Sequence, residues 1–280
     1  MKKKFVKITD IPQSVLDSIV RELLWYSAGL VKFQRKEHYE EANLIGSGTF
    51  IKVDEVYGIL TANHVAGALR GAIHLGLVIS LEEHRYLLEM EHLHIMDIAK
   101  PSEPSEGPDL SFIRIPNTYL GTLRAKKSFY NLSYHREKVL QNPLNYSFGL
   151  WMLLGFPEEL TRTEESRRSP SVSKRLHMLG GATGIERAYV HGDYDYLEVS
   201  CHFREDEELP KSFGGFSGGG LWQVPLIERE RGNIEIQEVI LSGVIFYQTM
   251  VENNRCNIRC HGRRSIYEKV YKFITREIGT

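Results

Sequence analysis

The chain has 280 residues, 42% of them hydrophobic and 25% charged, with a formal net charge of −1. That length and apolar content suffice for two core-forming units, and the charge balance supplies no field that would gather nucleic acid or an anionic membrane surface. Three cysteines, Cys201, Cys256 and Cys260, are too few and odd in number for a disulfide framework. Cys256 and Cys260 stand four apart with no second pair to complete a zinc site. Neither a metal nor a cofactor is expected, and the compartment reads as reducing and cytoplasmic. Lys2, Lys3 and Lys4 lead into Phe5-Val6-Lys7-Ile8-Thr9-Asp10, which breaks any apolar core of a signal peptide. No run of about 18 apolar residues marks a membrane span.

In chain order, residues 12–27 read as a helix, with Pro12 in its first turn and Val15, Ile19, Leu23 and Trp25 on an apolar face against the first half. Strands are expected near 30–36, 42–53 and 57–62, with Asp54-Glu55 as the hairpin between the last two. The second contains Gly46-Ser47-Gly48-Thr49-Phe50, and the third leads into Thr61-Ala62-Asn63-His64. A histidine at a strand end is positioned by its sheet and still reaches a cleft. A short helical turn follows at 66–71, then strands near 73–80 and 85–90. His92, His94 and Asp97 alternate as metal ligands on one strand face would, but without further ligands they read as ordinary surface groups. A loop over 100–108 delivers Asp109 to the start of Leu110-Ser111-Phe112-Ile113-Arg114-Ile115, an alternating strand. Residues 117–145 mix basic and aromatic side chains and read as a linker draped over the surface rather than as an RNA-binding face.

The second half opens with Gly149-Leu150-Trp151-Met152-Leu153-Leu154-Gly155-Phe156-Pro157, an apolar strand closed by a turn. The charged stretch 161–175 reads as a mobile loop. Strands follow near 175–179, 186–191 and 195–202. Then comes Phe213-Gly214-Gly215-Phe216-Ser217-Gly218-Gly219-Gly220-Leu221, with five glycines in nine residues. Glycine serves where backbone needs φ > 0 or a close approach. A lone serine in such a turn is exposed, and its flanking amides point to a common spot, as an attacking hydroxyl and its developing oxyanion require. Strands near 220–224, 234–247 and 255–262 and a helix over 264–278 complete the chain.

Together these stretches resemble the chymotrypsin/trypsin-like serine peptidases, in particular the bacterial, disulfide-free branch. The carriers are Thr-Ala-x-His at 61–64, Asp-Leu-Ser at 109–111 and Gly-x-Ser-Gly-Gly at 215–219, in the chymotrypsin order His, Asp, Ser. Asp109 follows His64 by 45 positions and Ser217 follows Asp109 by 108, against about 45 and about 93 in the family template. The resemblance covers residues 40–262. It implies Ser217 as nucleophile, His64 as base, Asp109 as orienting carboxylate, and the N–H groups of Gly215 and Ser217 as oxyanion hole. It implies that Phe246, Tyr247 and Gln248 line the substrate backbone and pocket wall. It also puts Lys211 at the pocket floor, where a lysine disfavours basic substrate side chains. The sequence departs from secreted members at Phe216, where they carry an aspartate that pairs with a freed N-terminus. Activation by N-terminal cleavage is therefore not expected.

The expected fold is all-β: two Greek-key antiparallel six-stranded barrels with N- and C-terminal helices. The divisions are an N-terminal extension over 1–28, a first barrel over 29–125, a connection over 126–148, a second barrel over 149–262 and a C-terminal helix over 263–280. The expected function is a cytoplasmic serine endopeptidase acting on protein or peptide substrates, gated by a regulatory partner or narrow in specificity, and without nucleic-acid or membrane partners. The alternatives are a silent peptide-binding module on the same fold and a small-ester hydrolase using the same triad.

Overall fold

The computed structural model describes residues 11–278, apart from 36–39, 80–85, 143–144, 147, 161, 166–171, 176–178, 203–209, 211 and 230–233. Helix α1 (Gln13–Leu24) leads into strands β1 (Ser27–Arg35), β2 (Glu40–Val53) and β3 (Val56–Thr61), then α2 (Asn63–Ala68). Strands β4 (His74–Val78), β5 (Tyr86–Glu89), β6 (His94–Ala99) and β7 (Leu110–Arg114) complete the first half. The connection carries α3 (Asn117–Arg124), β8 (Tyr130–Asn131) and α4 (Leu132–Gln141). The second half holds β9 (Leu150–Gly155), β10 (Arg162–Glu165), β11 (Val172–Arg175), β12 (Leu179–His191), β13 (Tyr194–His202), β14 (Gly220–Val224), β15 (Leu226–Glu228), β16 (Ile234–Ile236), β17 (Ile240–Gln248) and β18 (Arg255–His261). A π-helical turn over Ser265–Val270 runs into α5 (Tyr271–Ile278).

The all-β layout expected from the sequence is present. In the second half, β12-β13-β18-β17-β14-β9 closes into a six-stranded barrel. In the first half, the hydrogen-bonded path β5-β4-β1-β2-β3-β7-β6 stays open, with β8 added beside β2. The β2–β3 hairpin turns at Asp54-Glu55, with Asp54 at φ 51°. Among the described residues, no helix is long and apolar enough to cross a membrane.

One apolar cluster crosses between the halves. It joins Ile51, Leu60 and Phe112 of the first to Leu154, Trp222 and Val244 of the second. Burying side chains of this size contributes about 1.5–3 kcal/mol each, so the two halves are docked by their own core. Helix α1 joins this cluster through Ile19 and Leu23, and Val20 lies against Gly180 of β12. The helix therefore leans on the second barrel as well as the first. It ends one residue before Trp25, which is half exposed and not on the buried face.

The connection is not a surface linker. Asn131 caps α4 by accepting the Tyr134 N–H at 3.1 Å, a standard N-cap arrangement. Tyr130, Leu132 and Val139 are buried in the shared cluster. The Tyr130 hydroxyl meets that of Tyr267, which in turn donates to the Leu241 carbonyl. Within the stretch expected to be a mobile loop, β10 and β11 pair as an antiparallel ribbon; the residues between them lie outside the described set.

Candidate active site

The histidine comes from α2 and the carboxylate from the residue just before β7. Strands β3 and β7 are neighbours, with Thr61 opposite Ser111, so the segments after one and before the other emerge side by side. His64 Nδ1 lies 2.5 Å from Asp109 Oδ2, and the His64 main-chain N–H donates to Asp109 Oδ1 at 3.0 Å. Both carboxylate oxygens are thus committed to one residue. The Asp109 side chain is 1% exposed and that of His64 is 49% exposed. A buried acceptor on Nδ1 leaves Nε2 as the ring nitrogen able to take a proton from outside.

The serine turn is held by backbone. Phe216 N–H donates to the Phe213 carbonyl at 2.9 Å, and Gly215 stands in third position at φ 91°, as a type II turn requires. A Cβ on Gly215 would overlap the Phe156 carbonyl oxygen, and one on Gly218 (φ 86°) would overlap Thr61 Oγ1 and the Ser47 carbonyl. Downstream, Gly218 N–H donates to the Ile245 carbonyl at 2.7 Å, and Ile245 N–H donates to the Gly219 carbonyl at 2.9 Å. Strand β17 therefore braces the loop immediately after Ser217. Among the described residues, the N–H groups of Gly215 and Ser217 have no hydrogen-bond partner. Two donors are left open on the turn that carries the serine.

Ser217 lies next to the histidine segment. Its carbonyl accepts the Ser47 N–H at 2.8 Å. A Cβ on Gly46 would sit 2.9 Å from that carbonyl and 2.7 Å from the γ carbons of Val65, the residue after His64. Gly46 is the spacer that lets the two segments approach. Among the described residues, no hydrogen bond joins Ser217 Oγ to His64. Such bonds are often long or open in sites without substrate.

Two residues with a hand in this geometry were not singled out by the sequence reading. Ser47 Oγ donates to the Gly215 carbonyl at 2.6 Å and accepts the Phe156 N–H at 2.9 Å. A serine between two glycines in a strand was the available signal. His261 is fully buried at the end of β18, and its Nε2 accepts the Asp109 N–H at 2.9 Å. Burial holds its pKa down at about 3, against the opposing pull of the Asp109 carboxylate. The ring is therefore neutral, and because Nε2 is the acceptor its proton sits on Nδ1. That Nδ1 has no partner among the described residues. A strand-end histidine carries no sequence mark of such a role.

The residues expected to line the substrate pocket sit in different surroundings. Phe246 is buried, with its ring 4.7 Å from that of His261 and 5.9 Å from that of Tyr196. It packs on the ring of His261, whose Nε2 accepts the Asp109 N–H. Tyr247 is half-buried, with the Arg259 guanidinium 5.7 Å from its ring centre. Gln248 Oε1 accepts the Phe213 N–H at 2.8 Å, which ties the end of β17 to the start of the serine turn. Lys211 lies outside the described residues. Of the metal candidates, His92 falls in a 3₁₀ turn rather than on the strand with His94, and Asp97 accepts from Arg70 and Asn63. Glu89, Glu91 and His92 gather at the surface, where His92 Nδ1 also meets the Tyr119 hydroxyl at 3.0 Å.

No family model matches the chain, and no curated protein matches it. Among solved structures, it is similar to the active form of the Rv3671c protease from M. tuberculosis. That likeness has 12% identity and a TM-score of 0.47, over 98% of this chain and 94% of that one. It is also similar to the HtrA-type protease AlgW with a decapeptide. There the identity is 14% and the TM-score 0.44, over 92% of this chain and 66% of that one. With TM-scores below 0.5, these likenesses leave the fold resting on the chain's own strand pairing.

Proposed function

We propose that this protein is a serine endopeptidase that cleaves peptide bonds through Ser217, His64 and Asp109. The observation that carries the reading is the 2.5 Å contact between a buried carboxylate and a half-exposed imidazole, packed across Gly46 from a serine turn. In this reading Ser217 Oγ attacks the scissile carbonyl, and His64 Nε2 accepts its proton and returns it to the leaving amine. Asp109 keeps the His64 proton on Nδ1 and stabilises the imidazolium. The open N–H groups of Gly215 and Ser217 receive the oxyanion. One such donor is worth about 3 kcal/mol of barrier.

Phe216 supplies the anchor that an ion pair supplies elsewhere. It is 2% exposed, its ring centre is 5.0 Å from that of Phe213, and it presses on Gly155. The turn is seated by apolar packing, so the enzyme needs no cleaved N-terminus. Its restraint comes from narrow specificity or from a regulatory partner.

The test is labelling by a fluorophosphonate, which reacts with an activated serine. Wild type is expected to label, and Ser217→Ala and His64→Ala to lose the label while remaining folded. Labelling that survives Ser217→Ala would place the reactive group elsewhere and sink the assignment. Turnover of a peptide amide, measured beside that of a small ester, distinguishes a peptidase from an esterase.

A further inference from the structure

Strands β13 and β18 run antiparallel with Cys201 directly opposite Cys256. Directly opposed residues share a face, with Cα atoms about 4.5 or about 5.5 Å apart depending on the ladder position. Disulfides span Cα separations of about 4.4–6.8 Å, so either position permits a bond without moving the strands. Cys260 is opposite Leu197, about 13 Å further along β18, and belongs to the barrel core. The arrangement is a pair rather than a trio.

The two thiols differ. The hydrogen bond from Cys201 lowers the pKa of Cys256, and the same contact, with burial, raises that of Cys201. Of the two, Cys256 is therefore the thiol that ionises more readily, and the thiolate is the form that attacks disulfides. Cys256 is buried from bulk solvent but lines a cavity of about 520 Å³ at the tip of the β17–β18 hairpin, beside Thr249, Met250, Glu252 and Arg255. A small reagent has an approach.

Cys256 is also joined to the serine turn. Gln248 Nε2 donates to Cys256 Sγ at 3.7 Å, while Gln248 Oε1 accepts the N–H of Phe213, which opens that turn. We propose that Cys201 and Cys256 are a redox pair whose oxidation to a cross-strand disulfide loosens the hold of Gln248 on the turn preceding Ser217. The oxidant is a low-molecular-weight disulfide. The Cys256 thiolate attacks one of its sulfurs, forms a mixed disulfide and expels one thiolate. Cys201 then loses its proton to solvent and attacks the Cys256 sulfur, closing the protein disulfide and expelling the second thiolate. The protein pair is oxidised by two electrons and the reagent is reduced to two thiols. Closing the bond turns Sγ of Cys256 toward Cys201 and commits it to a second sulfur, so Gln248 Nε2 loses its contact with Cys256. The link to catalysis rests on Ser217 being the nucleophile; the disulfide and its effect on Phe213 do not.

The experiment treats the full chain with glutathione disulfide and maps its peptides without reduction. A Cys201–Cys256 cross-link is expected, reversed by dithiothreitol, retained in Cys260→Ser, and replaced by a glutathione adduct on Cys256 in Cys201→Ser. Hydrogen exchange of the peptide containing Phe213 is expected to be about threefold faster or more in the oxidised protein, the scale of a weakened hydrogen bond. Reduced Gln248→Leu should show the same acceleration and no further change on oxidation. Absence of the cross-link, a different pairing, or equal exchange in both redox states overturns the proposal. Failure of the fluorophosphonate to label either form would count against the peptidase reading alone, because the peptide map and the exchange data need no activity.

Discussion

His64 and Asp109 meet through side-chain atoms, whereas the turn that presents Ser217 is shaped almost wholly by backbone. The first arrangement depends on residue chemistry: one buried carboxylate, two hydrogen bonds to the same histidine, and a neutral His261 behind it. The second depends on the absence of side chains at Gly46, Gly215 and Gly218, where a methyl group would strike the neighbouring main chain. The two parts should therefore fail differently. A conservative change at the pair removes chemistry and leaves the fold; a small change at the turn disturbs both.

Asp109→Asn gives the largest expected effect with the least structural disturbance. The amide offers a donor where His64 Nδ1–H needs an acceptor, which favours the wrong tautomer. Fluorophosphonate labelling should fall about 10⁴-fold with circular dichroism unchanged. A loss within about tenfold would make the pair merely structural. Gly215→Ala should reduce labelling by about 10²–10³-fold, the scale of one lost oxyanion donor. Unlike Asp109→Asn, it should also lower the unfolding midpoint, because a non-glycine residue at this φ costs about 1–3 kcal/mol before its overlap with Phe156 is counted. Full stability in Gly215→Ala would break the contrast between the two parts.

His261 sharpens the contrast from the side of pH. Its folded pKa, about 3, lies below the ordinary 6.5, so the unfolded chain binds the proton first as pH falls. Stability is complete above pH 6.5 and declines from there toward pH 3. Between pH 7 and pH 5 this group alone removes about 2 kcal/mol. Urea unfolding at those two pH values should therefore show a smaller difference in His261→Gln than in wild type. An equal difference would mean that the buried histidine does not govern the decline.

Much of the candidate site was legible because the chemistry proposed for it demands particular residues at particular places. A serine among glycines, a histidine after a strand and an aspartate before another are visible as letters, and the strands beside them follow from apolar alternation. The link from His261 to Asp109 is not visible, because the two are 152 residues apart and only the docking of the halves brings them together. The connection misled for a related reason. Tyr130, Leu132 and Val139 are buried against partners from both ends of the chain, yet the lysines and arginines around them dilute the pattern that announces a helix. Cys201 and Cys256 show no spacing motif at all, because a cross-strand pair is set by register rather than by separation in sequence.

Ser47 has a consequence for when the site comes into being. Its hydroxyl reaches from β2 to both the end of β9 and the serine turn, and its N–H reaches the Ser217 carbonyl. These bonds exist only after the first half has folded and met the second. A nascent or half-folded chain has Ser217 in its sequence but lacks the braces that shape the turn around it. On the proposed peptidase reading, a centre completed only by contacts between the halves would guard the chain against digesting itself during synthesis.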